Sequence, residues 1–371
     1  MERHAKKFIH FCDSKVNVSE AYGYFRLDGT ASAFSNPGKL IKPALKDLWD
    51  SSIGNRLEED NRYSGDGKLY HVVNMINAAT TKVACAYHVC PKDGMEKLDL
   101  LCLYDDVGYL KGNYVYDTGK GCKGSEDCST YKGSTCEHAT GLCERPEEPE
   151  DDGKNDKYKC KIGNGMTDKR RQRILDMHND FRSLVASGQA KDKLIPNGFA
   201  PKAANMRKLE YDCRLEEMAA KYARGCVYEH SSNESRYLEE EKTIAGENLF
   251  KTSIPEADEI RALEWATKAW FHELREVGLG KENNLTRALW DRHINDPNMQ
   301  IGHYTQLAWG DTDKIGCSIQ HCYEKRMTLV VCNYLIFGNH VGRLVYKPGT
   351  PCSECPSGYK GCENNLCVKR T

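Results

Sequence analysis

The sequence predicts an α+β protein built from two copies of one domain, and three observations carry that expectation. Residues 71–90 align without a gap to 303–322, so that His71, Thr80, Lys82, Cys85 and Cys90 meet His303, Thr312, Lys314, Cys317 and Cys322. Five of these twenty positions are identical, which marks an internal repeat. Stretches with apolar residues at helical spacing are interspersed with short apolar runs bounded by turn residues, the pattern of helices packed on buried strands. Residues 144–157 are acidic, with two prolines and no apolar side chain. Such a stretch cannot offset its ordering entropy by burial, so it reads as a linker.

Composition narrows the class. At 371 residues, a net charge of −1 and 39% hydrophobic content, the chain suits two domains of ordinary size. Near-neutrality argues against nucleic acid as a partner, and no apolar run approaches the roughly 18 residues needed to span a bilayer. Eighteen cysteines point to disulfides formed in an oxidising compartment. Sequons at Asn17, Asn233 and Asn284 fit secretion. The charged start, residues 1–7, has no apolar signal-peptide core, so a missing export signal is expected.

Residues 1–12 read as a helix with Ala5, Phe8, Ile9 and Cys12 on one stripe, aligned to Leu215, Ala219, Tyr222 and Cys226. The first copy therefore opens at the equivalent of residue 215 and has no counterpart of 160–214. Two explanations stay open, a truncated gene model or a copy built without its first helix. Apolar runs ending at Cys102 and Cys332 read as strands, and another strand is expected to end at Cys317. Four-cysteine tails follow each copy, at 122, 128, 136 and 143 and at 352, 355, 362 and 367. Their unequal spacings favour disulfide knots over a tetrahedral metal site.

In the second copy a helix is expected from Thr167 or Asp168, as N-cap, to Gly188, with His178 and Arg182 one turn apart and pinning it to the sheet. A further helix over 255–277 turns Ile260, Leu263, Ala266, Trp270 and Leu274 inward, placing Glu273 in a cleft or on its rim. His230 is expected on the helical face of Cys226. The charged run 234–242 reads as a solvated loop. Between the copies, His230 faces Val16, Glu247 faces Tyr24, Glu273 faces Ser52, and only His303 keeps its partner, His71. The first copy thus retains a scaffold and has lost three of four polar positions.

Four motifs in order carry a resemblance: His178-Asn179-Asp180-Phe181-Arg182, Gly246-Glu247-Asn248-Leu249, the stretch from Gly302 to Thr312 (GHYTQLAWGDT), and Cys332-Asn333-Tyr334 followed by Gly338-Asn339. Together they resemble the CAP superfamily of cysteine-rich secretory proteins, antigen 5 and pathogenesis-related 1. The doubled domain is similar to two-domain secreted proteins of parasitic nematodes. The resemblance covers 160–371 well and 1–145 partially. It implies tandem three-layer α-β-α sandwiches with mainly antiparallel sheets. Their expected limits are 1–121 (N-terminally incomplete), a tail at 122–143, a linker at 144–158, a complete domain at 159–351 and a tail at 352–371.

The resemblance also implies that His230, Glu247, Glu273 and His303 meet in a central cleft. Such a set suits zinc, with the carboxylates as ligands or as orienting partners. Zinc is expected in the second domain alone, weakening as histidine protonates below about pH 6.5. Disulfides are expected between Cys226 and Cys332 and between Cys317 and Cys322, with Cys12–Cys102 and Cys85–Cys90 in the first copy. Cys160 and Cys213, absent together from that copy, are expected to pair.

Two functions follow. One is a secreted binding or immunomodulatory module acting on host proteins or receptors, with lipids or sterols as further ligands. The alternative is a metal-assisted hydrolase, with Glu247 and Glu273 as its candidate catalytic residues. The absence of a nucleophile elbow, of an HExxH helix and of a third histidine in a matching motif favours the first.

Overall fold

The computed structural model describes all residues except 10–21, 31–37, 93–94, 110–113, 129, 132, 148–152, 154–156, 197 and 370–371. The chain divides into two compact units, Met1–Pro149 and Glu150–Thr371.

The first unit contains α1 (Glu2–Ile9), β1 (Gly23–Thr30), α2 (Gly38–Ser51), α3 (Tyr70–Ile76), β2 (Val83–Lys92) and β3 (Met95–Tyr104), then a small hairpin of β4 (Thr135–Glu137) and β5 (Leu142–Glu144). Its sheet is antiparallel in the order β1-β3-β2. Alternation along β3 sends Leu101 and Leu103 against Ala5 and Ile9 of α1. Cys102 and Tyr104 go to the opposite face, with Phe25, Ile41, Leu45 and Leu48.

The second unit runs through α4 (Asp168–Ala186), β6 (Glu210–Tyr211), α5 (Cys213–Ala223), β7 (Tyr237–Leu238), β8 (Thr243–Ile244), β9 (Gly246–Thr252), α6 (Glu259–Glu276), α7 (Arg287–Asn295), α8 (Gly302–Leu307), β10 (Lys314–Cys322), β11 (Met327–Leu335), β12 (Gly361–Glu363) and β13 (Leu366–Val368). The main sheet has the order β6-β10-β11-β9, antiparallel except for the β6–β10 pair. One face of the sheet packs Leu249, Leu329 and Val331 against Ala219 and Ala223 of α5. Gly316 is required there, because a Cβ would lie 2.2 Å from the Glu216 nitrogen. The other face meets α4 through His178 and Tyr334 and α6 through Trp270, whose Nε1 donates to the Leu249 carbonyl.

Helix ends follow local chemistry. Thr167 caps α4 by accepting from the Arg170 amide, and Gly188 follows its end with φ of 75°. Asp258 caps α6, which therefore begins at Glu259, inside the expected 255–277 span. Arg171 lies wholly buried on α4 and forks onto Glu216 of α5 at 2.6 and 2.7 Å. Tyr211 donates to the same carboxylate.

Several expectations need correction. β10 continues past Cys317 to Cys322, because both of its faces are covered. The helix before His230 stops at Ala223, where Gly225 and the left-handed Cys226 turn the chain, so His230 lies in a loop. The run 234–242 is not simply a solvated loop: it folds into the β7–β8 hairpin and buries Leu238 against Leu215, Ala245 and Leu335.

The disulfides also differ from the expected pairing. Cys317 pairs with Cys332 and Cys226 with Cys322. Register decides this, since Cys317 lies directly opposite Cys332 with Cα atoms 4.1 Å apart. Cys322 sits at the far end of β10, packed with Ala219 and Ala223. Cys85 likewise pairs with Cys102 and not with Cys90; Cys90 is also disulfide-bonded, and Cys12 lies outside the described residues.

Cys160 pairs with Cys213 as expected. Each tail joins its first cysteine to its third and its second to its fourth. Their sulfurs are bonded to one another and offer no thiolate to a metal. Of the sequons, Asn233 is exposed, Asn284 is half-buried and Asn17 lies outside the described residues.

Candidate metal-binding cleft in the second unit

β9 carries Glu247, α6 carries Glu273, the loop after α5 carries His230, and α8 carries His303. The structure brings all four together. His230 Nδ1 lies 2.9 Å from Glu247 Oε1, and His303 Nδ1 lies 2.6 Å from Glu273 Oε1. The imidazole centroids are 6.5 Å apart. Both carboxylates are buried, while His230 is exposed and His303 half-buried.

Each carboxylate is itself held. Glu247 accepts from the Ser231 amide at 2.9 Å and from its hydroxyl at 2.5 Å. Burial pushes the Glu247 carboxyl up, but the bonds from His230 and Ser231 and the charge of Arg236 outweigh it and leave it below its ordinary range. Glu273 accepts the Tyr304 amide at 2.9 Å on its second oxygen. The Trp270 ring lies nearly parallel to the His303 ring, at 19° and 6.2 Å.

α8 is a short helix clamped from three sides. Arg182, wholly buried, makes five hydrogen bonds to the carbonyls of Arg207, Leu307, Trp309 and Thr312. Asn339 donates to the Gly302 carbonyl and accepts from Thr305 Oγ1. Gln306 accepts the Gly338 amide. At the entry to α8, Gly302 leaves room for His293 of α7, whose Nε2 would be 2.7 Å from a Cβ there. Burial lowers the His293 imidazole, Glu273 opposes that, and His303 and His230 lower it further.

Chemically, each histidine spends Nδ1 on a buried carboxylate, which directs its Nε2 toward any ligand. That is how carboxylates orient metal-binding imidazoles. Two imidazoles backed by carboxylates fit a divalent ion of zinc's kind with further positions open, so Glu247 and Glu273 fit as orienting groups. Ser231 follows His230 in sequence, yet only the fold shows that it fixes Glu247. His293 is marked by no sequence motif; its place depends on the packing of α7 beneath Gly302.

The family model for the cysteine-rich secretory protein family, CAP, matches residues 175–334. The chain is 42% identical over 360 residues to Ancylostoma secreted protein of Ancylostoma caninum, covering 96% of this chain and 79% of that one. The chain belongs to the CAP family. Among solved structures it matches that of Na-ASP-1 with a TM-score of 0.75 and 39% identity, over 99% of this chain and 86% of that one. Peptidase inhibitor 16 of Homo sapiens is 33% identical over 208 residues, 54% of this chain and 37% of its own length.

In the first unit the positions that align with the four cleft residues have different surroundings. Ser52 donates to the Trp49 carbonyl, Tyr24 packs edge-on to Tyr70, and Val16 lies outside the described residues. His71 packs edge-on to Tyr70 at 5.1 Å, and its Nδ1 is buried without a hydrogen bond. Burial lowers its imidazole, against the pull of the Tyr24 backbone. Where His303 has Glu273, His71 has no carboxylate behind Nδ1. Among the described residues, no helix of either unit is long and apolar enough to cross a membrane.

Proposed function

We propose that the chain is a secreted, parasite-type CAP protein that acts as a host-interaction module, and that the cleft of its second unit binds zinc weakly. The observation that supports this is the pair of carboxylate-backed imidazoles, His230 on Glu247 and His303 on Glu273. His230 and His303 would hold the ion through Nε2, with Glu247 and Glu273 fixing ring orientation and adding negative charge. Bound zinc would supply Lewis acidity and a bridge to a partner's side chain.

The similarity to a protein named as secreted supports the location, and the disulfides agree with it. Host proteins or receptors are the expected partners. Four polar side chains suit a polar or metal-bridged contact better than carriage of a lipid or sterol. The first unit acts as a second surface on a scaffold without the metal pair, with 144–158 as the linker.

Ser231 is buried and donates to Glu247, a supporting role and not that of a nucleophile. Hydrolysis would therefore need a metal-bound water. Zinc-loaded chain incubated with ester and peptide reporters tests the choice. Zinc binding without turnover supports the interaction module. Turnover lost in Glu247→Gln and Glu273→Gln would replace it with the hydrolase.

A further inference from the structure

The last turn of α7 brings a further imidazole to the border of the cleft. His293 Nε2 would lie 2.7 Å from a Cβ on Gly302, so the ring rests on the residue before His303. The charges of Glu273, His303 and His230 all act on it.

The ring is held on its other sides. Ile301 donates its amide to His293 Nδ1 at 3.4 Å, and the Trp290 ring lies 4.7 Å from the imidazole. Gln300 Nε2 donates to the His293 and Asp296 carbonyls at 2.9 and 3.2 Å, which fastens the end of α7.

A neutral imidazole that accepts at Nδ1 carries its proton on Nε2. Burial, opposed by Glu273 and aided by His303 and His230, lowers the His293 imidazole and keeps it neutral near neutral pH. Nε2 is then a donor, and it has no acceptor among the described residues. In that tautomer it is no metal ligand, since the proton occupies the lone pair a metal would take.

The surroundings decide which acceptor fits. Lys251 is exposed and stands 4.5 Å over the Tyr228 ring, whose hydroxyl feels the charge of Glu273. This ammonium and a bound dication both favour an anion. Beside His293 on α7, Trp290 is half-buried and Ile294 is 59% exposed, so the anion's neighbour can be apolar.

We propose that His293 is a specificity-determining donor of the metal cleft, which selects an acidic side chain of a partner protein as the ligand of the ion's open position. The assignment rests on the zinc reading given above. One carboxylate oxygen faces the ion and the other accepts the proton of Nε2. An apolar residue next to the acidic one lies against Trp290 and Ile294. A carboxylate suits this pairing because its two oxygens share one carbon and a single charge.

The full chain loaded with cobalt(II) in place of zinc tests this, since the visible band of cobalt reports changes in its ligands. Titration with acetyl-Leu-Glu-amide is expected to shift the band saturably, and acetyl-Leu-Gln-amide should not. His293→Phe should weaken the glutamyl peptide about tenfold, the worth of one hydrogen bond to a charged acceptor. Cobalt affinity, read by competition with a chelator, should stay within roughly twofold, about 0.4 kcal/mol. His293→Gln keeps an N–H donor and should recover most of the loss.

Equal peptide binding by native and His293→Phe chains would overturn the proposal, as would cobalt binding with no response to the glutamyl peptide. Cobalt affinity falling alike in both variants would make His293 a metal ligand and overturn the donor role. Sulfate binding more tightly than the peptide would overturn the choice of a carboxylate. Absence of cobalt binding to the native chain would overturn the metal reading itself, and this assignment with it.

Discussion

Tyr334 donates its hydroxyl proton to His178 Nε2 across 3.0 Å, and this bond joins the first and the last of the chain's four family motifs. His178 Nδ1 lies 2.8 Å from the Ile174 carbonyl, which can only accept, so Nδ1 carries the proton and Nε2 receives Tyr334. Asn248 Nδ2 donates both to Tyr334 Oη and to the His303 carbonyl. A continuous hydrogen-bonded path thus runs from α4, through the sheet, to the backbone that carries a cleft histidine.

That path makes the second unit sensitive to acid. Burial, opposed by the Ile174 carbonyl and aided by Arg182, pushes the His178 imidazole down to about 3. Its folded value lies below its unfolded one, about 6.5, so between them the unfolded chain binds more protons. The stability is fully present above about pH 6.5 and is lost as pH falls toward 3, with an upper bound of about 5 kcal/mol. Urea unfolding followed by tryptophan emission, which four of five tryptophans place in the second unit, should show this loss, and His178→Gln should flatten it between pH 6.5 and 4.5.

Arg182 should tolerate little change. Arg182→Met leaves buried carbonyls at the end of α8 unpaired and should cost about 3–5 kcal/mol. Arg182→Lys keeps the charge but not the planar fork and should fall between. Denaturant midpoints of the two variants would rank them, and equal stability of Met and native proteins would disprove the clamp.

Disulfide removal should separate by loop length. The Cys226–Cys322 bond closes a separation of 96 residues and Cys317–Cys332 one of 15. Replacing either pair by alanine should cost about 2–5 kcal/mol, with the longer loop costing more. Peptide mapping of the non-reduced protein checks the pairing itself; recovery of Cys226 with Cys332 would contradict the structure.

The orienting carboxylates should tune zinc without holding it. Glu273→Gln and Glu247→Gln should each weaken zinc by about 10–100-fold, measured by competition with a chelating dye. Glu247 also links to acid stability. Its folded value is depressed, so its contribution is present above about pH 4.5 and is lost as pH falls through the lower folded value.

The resemblance carried by the motifs made the cleft legible before the fold was known, since it implied that His230, Glu247, Glu273 and His303 meet, although only Glu247 and His303 lie inside the motifs themselves. Helix stripes were legible because Ala5 and Ile9, or Leu215 and Ala219, recur at the helical period and are buried. The disulfide register was not, because Cys332 can reach either Cys226 or Cys317 on paper until the strand register places Cys317 opposite it. The end of α5 also escaped, since a periodic stripe does not reveal that Cys226 turns left-handed. Ser231 and His293 could be placed only by tertiary packing, which brings together residues distant in sequence.

Calorimetric titration of the full chain with zinc near neutral pH tests the central claim most directly. One site per chain is predicted, abolished by His303→Ala with near-native circular dichroism and unaffected by His71→Ala. Two sites, or zinc binding that survives His303→Ala unchanged, would contradict the assignment of the metal cleft to the second unit.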